Sequence, residues 1–251
     1  MMMPEPVVDT AIVGVSSAEH PTMQLLHQHH RGPSFAERMV ATSPGRFNEE
    51  FWHFWQTHIH PHLPSSPQLL DLGTGPGFIL RQWQQRYPEG HFIGVDLMPY
   101  MLERAAADLQ GIPGIQLLQT DLHDPHLPLD PGSIDAAQAV MVLHEMVQPL
   151  RLLQEVLRLL KPGGRFLLVD WVRAPLSLYF DAATEVQLFQ PGTPLATLVD
   201  QFTHFYEHNR FSAEDLVWLL EKVGFTVVAQ QLYCQNRFVR LVAQKPSLPP
   251  G

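Results

Sequence analysis

The residues from Leu69 to Gly77 read as an apolar strand that carries one acid, Asp71, and runs into Gly73, Thr74, Gly75 and Gly77 just before a helical stretch. Glycines at alternate positions let the backbone turn tightly and let a ligand come close. The first turn of the following helix offers free N–H groups. A turn of this kind can cradle a dinucleotide, but that fingerprint needs glycine or alanine three residues after the second glycine, where Phe78 stands. Asp71 argues the same way. A carboxylate beside the turn repels a pyrophosphate, whereas it can hold the cationic amino group of a methionine moiety. The charge pattern therefore suits S-adenosylmethionine.

Further motifs follow at strand ends: Gly94, Val95 and Asp96; Gln119, Thr120 and Asp121; and Leu160 to Phe166, which contains Lys161, Pro162, Gly163, Gly164 and Arg165. With the glycine turn, they make the chain resemble the class I S-adenosylmethionine-dependent methyltransferases, particularly the small-molecule branch that includes the quinone-ring enzymes. The likeness is strong over residues 68 to 172 and weaker over 212 to 245. It implies that Asp71, Gly73, Thr74, Gly75 and Gly77 surround the methionine end of the cofactor. It also implies that Asp96 takes the ribose hydroxyls with Leu97 and Met98 against the adenosine, and that Asp121 and Leu122 meet the adenine. Ala139 and Val140 would flank the methionine portion through their backbone. An acid in Asp96's place could equally cap the helix that starts near Pro99, and Asp121 could be a turn aspartate.

Beyond the fourth strand, His144 is placed to serve as general base, since an imidazole titrates near working pH, with Glu145 a weaker candidate. Methyl transfer from a sulfonium needs no base in many enzymes, so an ordering or packing role for His144 stays open. The histidines His27, His29 and His30, and His53, His58, His60 and His62, are dense enough to suggest a metal. Pro61 and Pro64 break the second run and no carboxylate completes it, so no metal is expected. Trp52, Trp55, Phe202, Phe205 and Tyr206 could line a pocket or simply pack. His204, Tyr206, Glu207 and His208 offer further acid or base groups.

The elements that must position these groups are legible as alternation. Apolar runs at Leu69–Leu72, His91–Val95, Ile115–Gln119, Ile134–Val140 and Arg165–Asp170 alternate with helical stretches at Phe78–Tyr87, Pro99–Leu109 and Pro149–Leu160. The last of these is closed by the turn at Lys161 to Gly164. Strand and helix in alternation predict a parallel sheet with helices on both faces, ligands binding beyond the carboxyl ends of its strands. The resemblance implies seven strands, the last antiparallel, in a Rossmann-like, doubly wound α/β domain. Residues 1 to 64 read as an N-terminal extension with an aromatic helix from Phe47 to Ile59 that caps the domain. The domain itself spans 65 to 245 and includes an insert at 173 to 211 long enough to serve as a lid, and 246 to 251 form a tail. Ser212 caps a helix running to Lys222 and ended by Gly224, and strands Phe225–Leu232 and Phe238–Ala243 suggest a terminal hairpin.

Composition narrows the function. A net charge of −9 leaves no basic surplus for nucleic acid. Cys234 is the single cysteine, which excludes an intramolecular disulfide, and neither a signal sequence nor a long apolar run is present, so a cytoplasmic protein is expected. The reading is methyl transfer to a small-molecule acceptor through an oxygen, nitrogen or carbon nucleophile. The Asn-Pro-Pro-Tyr signature of amino-methylating enzymes is absent at the fourth strand. A catalytically silent S-adenosylmethionine-binding protein and a nicotinamide-dependent oxidoreductase stay open as alternatives.

Overall fold

The computed structural model describes residues 12–14 and 34–247; His27, His29 and His30 lie outside them. Strand β1 is Ile12–Gly14, and helices α1 (Ser34–Arg46) and α2 (Glu49–His58) precede the alternating region. There follow β2 (Gln68–Leu72), α3 (Phe78–Arg86), β3 (His91–Asp96), α4 (Pro99–Asp108), β4 (Ile115–Gln119), β5 (Ile134–Val140), α5 (Leu150–Leu159) and β6 (Leu160–Trp171). Three helices, α6 (Leu176–Tyr179), α7 (Ala182–Leu188) and α8 (Leu195–His208), form the insert. Then come α9 (Ala213–Val223), β7 (Thr226–Tyr233) and β8 (Phe238–Gln244).

The strands form one sheet in the order β1-β4-β3-β2-β5-β6-β8-β7. All neighbours from β1 to β6 pair parallel, and β8 runs antiparallel to both β6 and β7. The seven-stranded sheet expected from the sequence is therefore present, and Ile12–Gly14 adds an eighth strand at the β4 edge. The chain builds outward from β2 through β3 to β4, then crosses to β5 on the other side. This switch point consequently places a crevice at the carboxyl edge of the sheet, bordered by the loops after β2 and β5.

Two apolar cores flank the sheet. On one face Leu152, Leu153, Val156 and Leu159 of α5 and Leu216 and Leu220 of α9 pack on Leu70, Leu72, Phe166 and Leu168. On the other, Phe51 and Trp55 of α2, Ile79, Leu80 and Trp83 of α3, and Leu102 and Ala105 of α4 pack on Leu69, Phe92 and Val169. The aromatic helix α2 is thus continuous with the core of the domain. Its first turn is fixed by the Asn48 side chain, which accepts the Phe51 N–H at 3.0 Å. The α9 cap is as expected: the Ser212 hydroxyl and Asp215 carboxylate satisfy each other's backbone N–H groups, and Gly224 ends the helix in the left-handed region.

One detail differs from the sequence reading. The segment from Lys161 to Gly164 remains extended as part of β6, yet the ladder with β5 jumps from Ile134↔Leu160 to Ala136↔Arg165. The helix stops where expected, at Leu159, but the expected turn is a bulge: Lys161 Nζ reaches back to Asp135 at 2.7 Å, and Gly163 and Gly164 exchange backbone bonds with Lys245.

Candidate active site

A cavity of about 530 Å³ opens at the carboxyl edge, where the loops after β2, β3, β4, β5 and β6 converge. Its size suits a small-molecule ligand. The glycine turn forms one wall. Gly73 and Thr74 N–H groups both donate to the Val95 carbonyl at 2.8 Å, clamping the turn onto β3. A side chain at Gly73 would place its Cβ 2.4 Å from Val142 Cγ2, so glycine there lets the β2 and β5 loops meet. Gly75, at φ +53°, faces open space instead.

Asp71 borders the cavity and is 3% exposed. Its Oδ1 accepts from Gln138 Nε2 at 2.9 Å. Burial pushes its carboxyl up to about 6; the bonds from Thr74 and Gln138 oppose this and nearby Asp96 adds to it. Among the described residues Asp71 has no ion-pair partner. Asp96 is oriented by two backbone donors, Gly75 N–H to Oδ2 at 2.8 Å and Met98 N–H to Oδ1 at 2.9 Å. It thus joins the turn to the start of α4, and each oxygen of a carboxylate can accept more than one hydrogen bond. Asp121 Oδ1 accepts from the backbone and ring nitrogens of His123.

Of the residues singled out from the sequence, Asp71, Gly73, Thr74, Gly75, Asp96, Leu97, Met98, Asp121, Leu122, Val140, His144 and Glu145 all border this one cavity. Gly77 and Ala139 do not. A Cβ on Gly77 would lie 2.7 Å from Leu109 Cδ1, so that glycine serves the packing of α3 on α4. Ala139 is fully buried in the sheet core.

His144 is 4% exposed and sits in a 3₁₀ turn, Leu143–Glu145, just beyond β5. Its Nδ1 lies 2.6 Å from Oδ1 of Asp170, which ends the apolar run of β6 and is 1% exposed. The Asp170 carboxylate also accepts backbone N–H groups of Leu143 at 2.6 Å, Trp171 at 2.8 Å, Val142 at 3.2 Å and His144 at 3.3 Å. Ringed by donors, it accepts the His144 Nδ1–H, and Nε2 of the same ring lies 3.8 Å from Glu145 Oε1. Burial alone would lower the imidazole's pKa. Asp170, aided by Glu145, outweighs burial and Arg46 and raises it. The His208 ring stacks on His144 with centroids 4.8 Å apart, and Tyr179 bonds to both His204 and His208.

The aromatic residues considered from the sequence pack rather than line. Trp55 is fully buried against Trp83, Arg86 stacks on Trp52 at 3.5 Å, and Phe202 and Phe205 contact Phe180. The cavity's apolar wall comes from Phe35, Met39, Phe47, Met146, Trp171 and Phe238. His204 and His208 border it, whereas Tyr206 is 72% exposed. Among the described residues no three His, Cys, Asp or Glu side chains are grouped to hold a metal, and His60 bonds instead to Tyr87 at 3.0 Å. No helix among them is long and apolar enough to cross a membrane.

Comparison with known proteins bears on the same constellation. A methyltransferase-domain family model matches residues 70–168, from β2 into β6. An uncharacterized methyltransferase of Mycobacterium bovis is 31% identical over 176 residues, covering 68% of each chain. The chain belongs to the class I S-adenosylmethionine-dependent methyltransferases. A ubiquinone/menaquinone biosynthesis C-methyltransferase of Syntrophotalea carbinolica is 36% identical over 110 residues, 43% of this chain and 46% of that protein. The chain spans 30 to 51% of the length of the first three curated relatives it matches. In three dimensions, a methyltransferase from Aquifex aeolicus superposes with a TM-score of 0.61 at 18% identity, covering 85% of this chain and 98% of that one. The cofactor of this methyltransferase family is S-adenosylmethionine, and the cation-deficient Asp71 beside an open Gly75 fits a ligand that carries an ammonium group.

Proposed function

We propose that this methyltransferase alkylates a small, planar, largely apolar acceptor at an oxygen or carbon that loses a proton to His144. The observation that carries this reading is that His144, held by Asp170, borders the same cavity as the glycine turn. S-adenosylmethionine supplies a methyl group on a cationic sulfonium and departs as S-adenosylhomocysteine. Asp71 receives the ammonium group, Asp96 the ribose hydroxyls, Asp121 and Leu122 the adenine, and Val140 the methionine portion. His144 Nε2 takes the acceptor's proton, and the imidazolium so formed is stabilised by Asp170 through Nδ1–H. Glu145 Oε1, 3.8 Å from Nε2, adds to that stabilisation. Phe35, Phe47, Trp171 and Phe238 exclude water and hold the ring plane, which raises the rate by alignment. The insert, carrying His204 and His208 on α8, closes the chamber as a lid. The quinone C-methylation named for the Syntrophotalea relative supports an aromatic acceptor with an ionisable hydroxyl.

The test has two parts. S-adenosylhomocysteine binding is measured by calorimetry, and its release from S-adenosylmethionine is followed with a panel of phenols, naphthols and reduced quinones. Turnover that collapses in His144→Ala and Asp170→Asn while cofactor affinity persists supports the reading. Wild-type turnover in His144→Ala refutes the base, and cofactor binding with no turnover on any acceptor favours a catalytically silent binding protein.

A further inference from the structure

Arg240 stands in the middle of β8 with its side chain 2% exposed, between Val239 and Leu241, both fully buried. A buried guanidinium costs several kcal/mol unless its charge is paired and its donors are used. Here both conditions are met only in part. Nη1 donates to the neutral amide oxygen of Gln231 at 3.0 Å. Nη2 lies 3.8 Å from Glu50, a carboxylate that is itself 73% exposed, and Nε has no hydrogen-bond partner. The guanidinium lies over the Tyr233 ring, 4.1 Å from its centroid. The buried Nε–H of a rigid donor fork is thus left without a hydrogen-bond partner.

This group borders the cavity at the end remote from the glycine turn. β5 and β6 lie between β2 and β8 in the sheet, which separates Arg240 from Asp71 by three strand spacings, roughly 14 Å. Its register partner on β6 is Val169, the residue before Asp170. Phe238, two residues before it on β8, pairs with Trp171 of β6 and Tyr233 of β7, so these aromatic side chains share its face of the sheet. Arg240 and His144 thus border one cavity, Arg240 on the sheet face that carries Phe238, Trp171 and Tyr233.

We propose that Arg240 recognises a carboxylate on the methyl acceptor, so that the substrate class is a planar apolar molecule bearing one acid group. A carboxylate presents two oxygens to the fork and completes its hydrogen bonds in a desolvated place, where such a pair discriminates strongly against a neutral isostere. The inference rests on the reading of this end of the cavity as the acceptor chamber.

The test is thermal unfolding of the full chain at pH 7.5 with saturating S-adenosylhomocysteine, titrated with 6-hydroxy-2-naphthoate or its carboxamide. The wild type is compared with Arg240→Met and Arg46→Met; Arg46 is a second cation on the same cavity wall. In the wild type the acid is expected to protect at concentrations at least about tenfold lower than the amide. That preference should vanish in Arg240→Met and survive in Arg46→Met, with cofactor affinity in Arg240→Met within about twofold of wild type. Equal protection by acid and amide, protection by neither, a preference that survives in Arg240→Met, or loss of cofactor binding in that variant overturns the proposal. Should Arg240→Met fail to fold, Arg240→Lys keeps the charge without the fork, and an undiminished preference there overturns it equally. A wild type that S-adenosylhomocysteine does not stabilise refutes the methyl-transfer reading itself; stabilisation without acid preference refutes only the role of Arg240.

Discussion

Replacing Asp71 with asparagine should make the protein more stable and less able to bind its cofactor. The carboxyl is buried, and its pKa stands at about 6 against an ordinary 3.8. At ~1.4 kcal/mol per unit this is about 3 kcal/mol by which the ionised form opposes folding at neutral pH. The sign follows from proton binding. Between pH 4 and 6 the native state holds a proton that the unfolded chain has released, so the carboxyl's contribution is fully present below pH 4 and lost as pH rises through 6. Asparagine can still accept from Gln138 but buries an amide of its own, so the net gain is about 1 to 3 kcal/mol. For a chain of this length that raises the midpoint by ~2 to 4 °C per kcal/mol. Without ligand, the variant's advantage should be absent near pH 4, grow up to pH 6 and stay level to pH 8. Loss of a desolvated charge partner should weaken S-adenosylhomocysteine about a hundredfold at pH 7.5. In the wild type that affinity should fall as pH drops below 6, a dependence the variant lacks. Denaturation and calorimetry across pH 4 to 8 decide the matter. A variant less stable than wild type at pH 8, or one that binds the ligand equally well, refutes the account.

Other expectations follow from the same geometry. Asp170→Asn removes the group that holds the His144 pKa up, so the acid limb of the kcat profile should move to lower pH while the maximum falls about a hundredfold or more; a limb that stays in place refutes the coupling. Asp96→Ala strips the acceptor from the Gly75 and Met98 N–H groups and should cost about 1 to 3 kcal/mol of stability besides ligand affinity, whereas Asp96→Asn should restore much of the stability but not the affinity in paired denaturation and calorimetry. Gly73→Ala combines a left-handed backbone with the clash on Val142. It should lower the denaturation midpoint, and Val142→Ala in the same chain should recover part of the loss. Ser212→Ala should cost about 1 kcal/mol and leave S-adenosylhomocysteine affinity untouched.

Most of the sheet could be read directly because each core strand is a short apolar run, and the acids that close three of them stand out for that reason. Asp170 closes a fourth run in the same way. It escaped notice as a site residue because its partner, His144, lies 26 residues away and only the parallel pairing of β5 with β6 brings the two together. Arg240 left a clearer trace, a cation inside an apolar strand, but its chemical meaning depends on β8 threading antiparallel beside β6. The stacking of His208 on His144 rests on how α8 returns over the β5 loop, which no local pattern encodes. For the aromatic residues of α2, helical spacing says that they are buried without saying against what. Trp55 meets Trp83 in the core, and the cavity takes its rings from Phe35, Phe47 and the strand ends instead.

The turn between β7 and β8 holds Cys234, Gln235 and Asn236 in the left-handed region, with the only thiol of the chain exposed at the rim of the cavity. A single chemically addressable handle therefore stands beside the cavity. An environment-sensitive fluorophore attached through that sulfur would report cavity filling in real time, without a second cysteine to remove and without any change to the side chains proposed to hold either ligand.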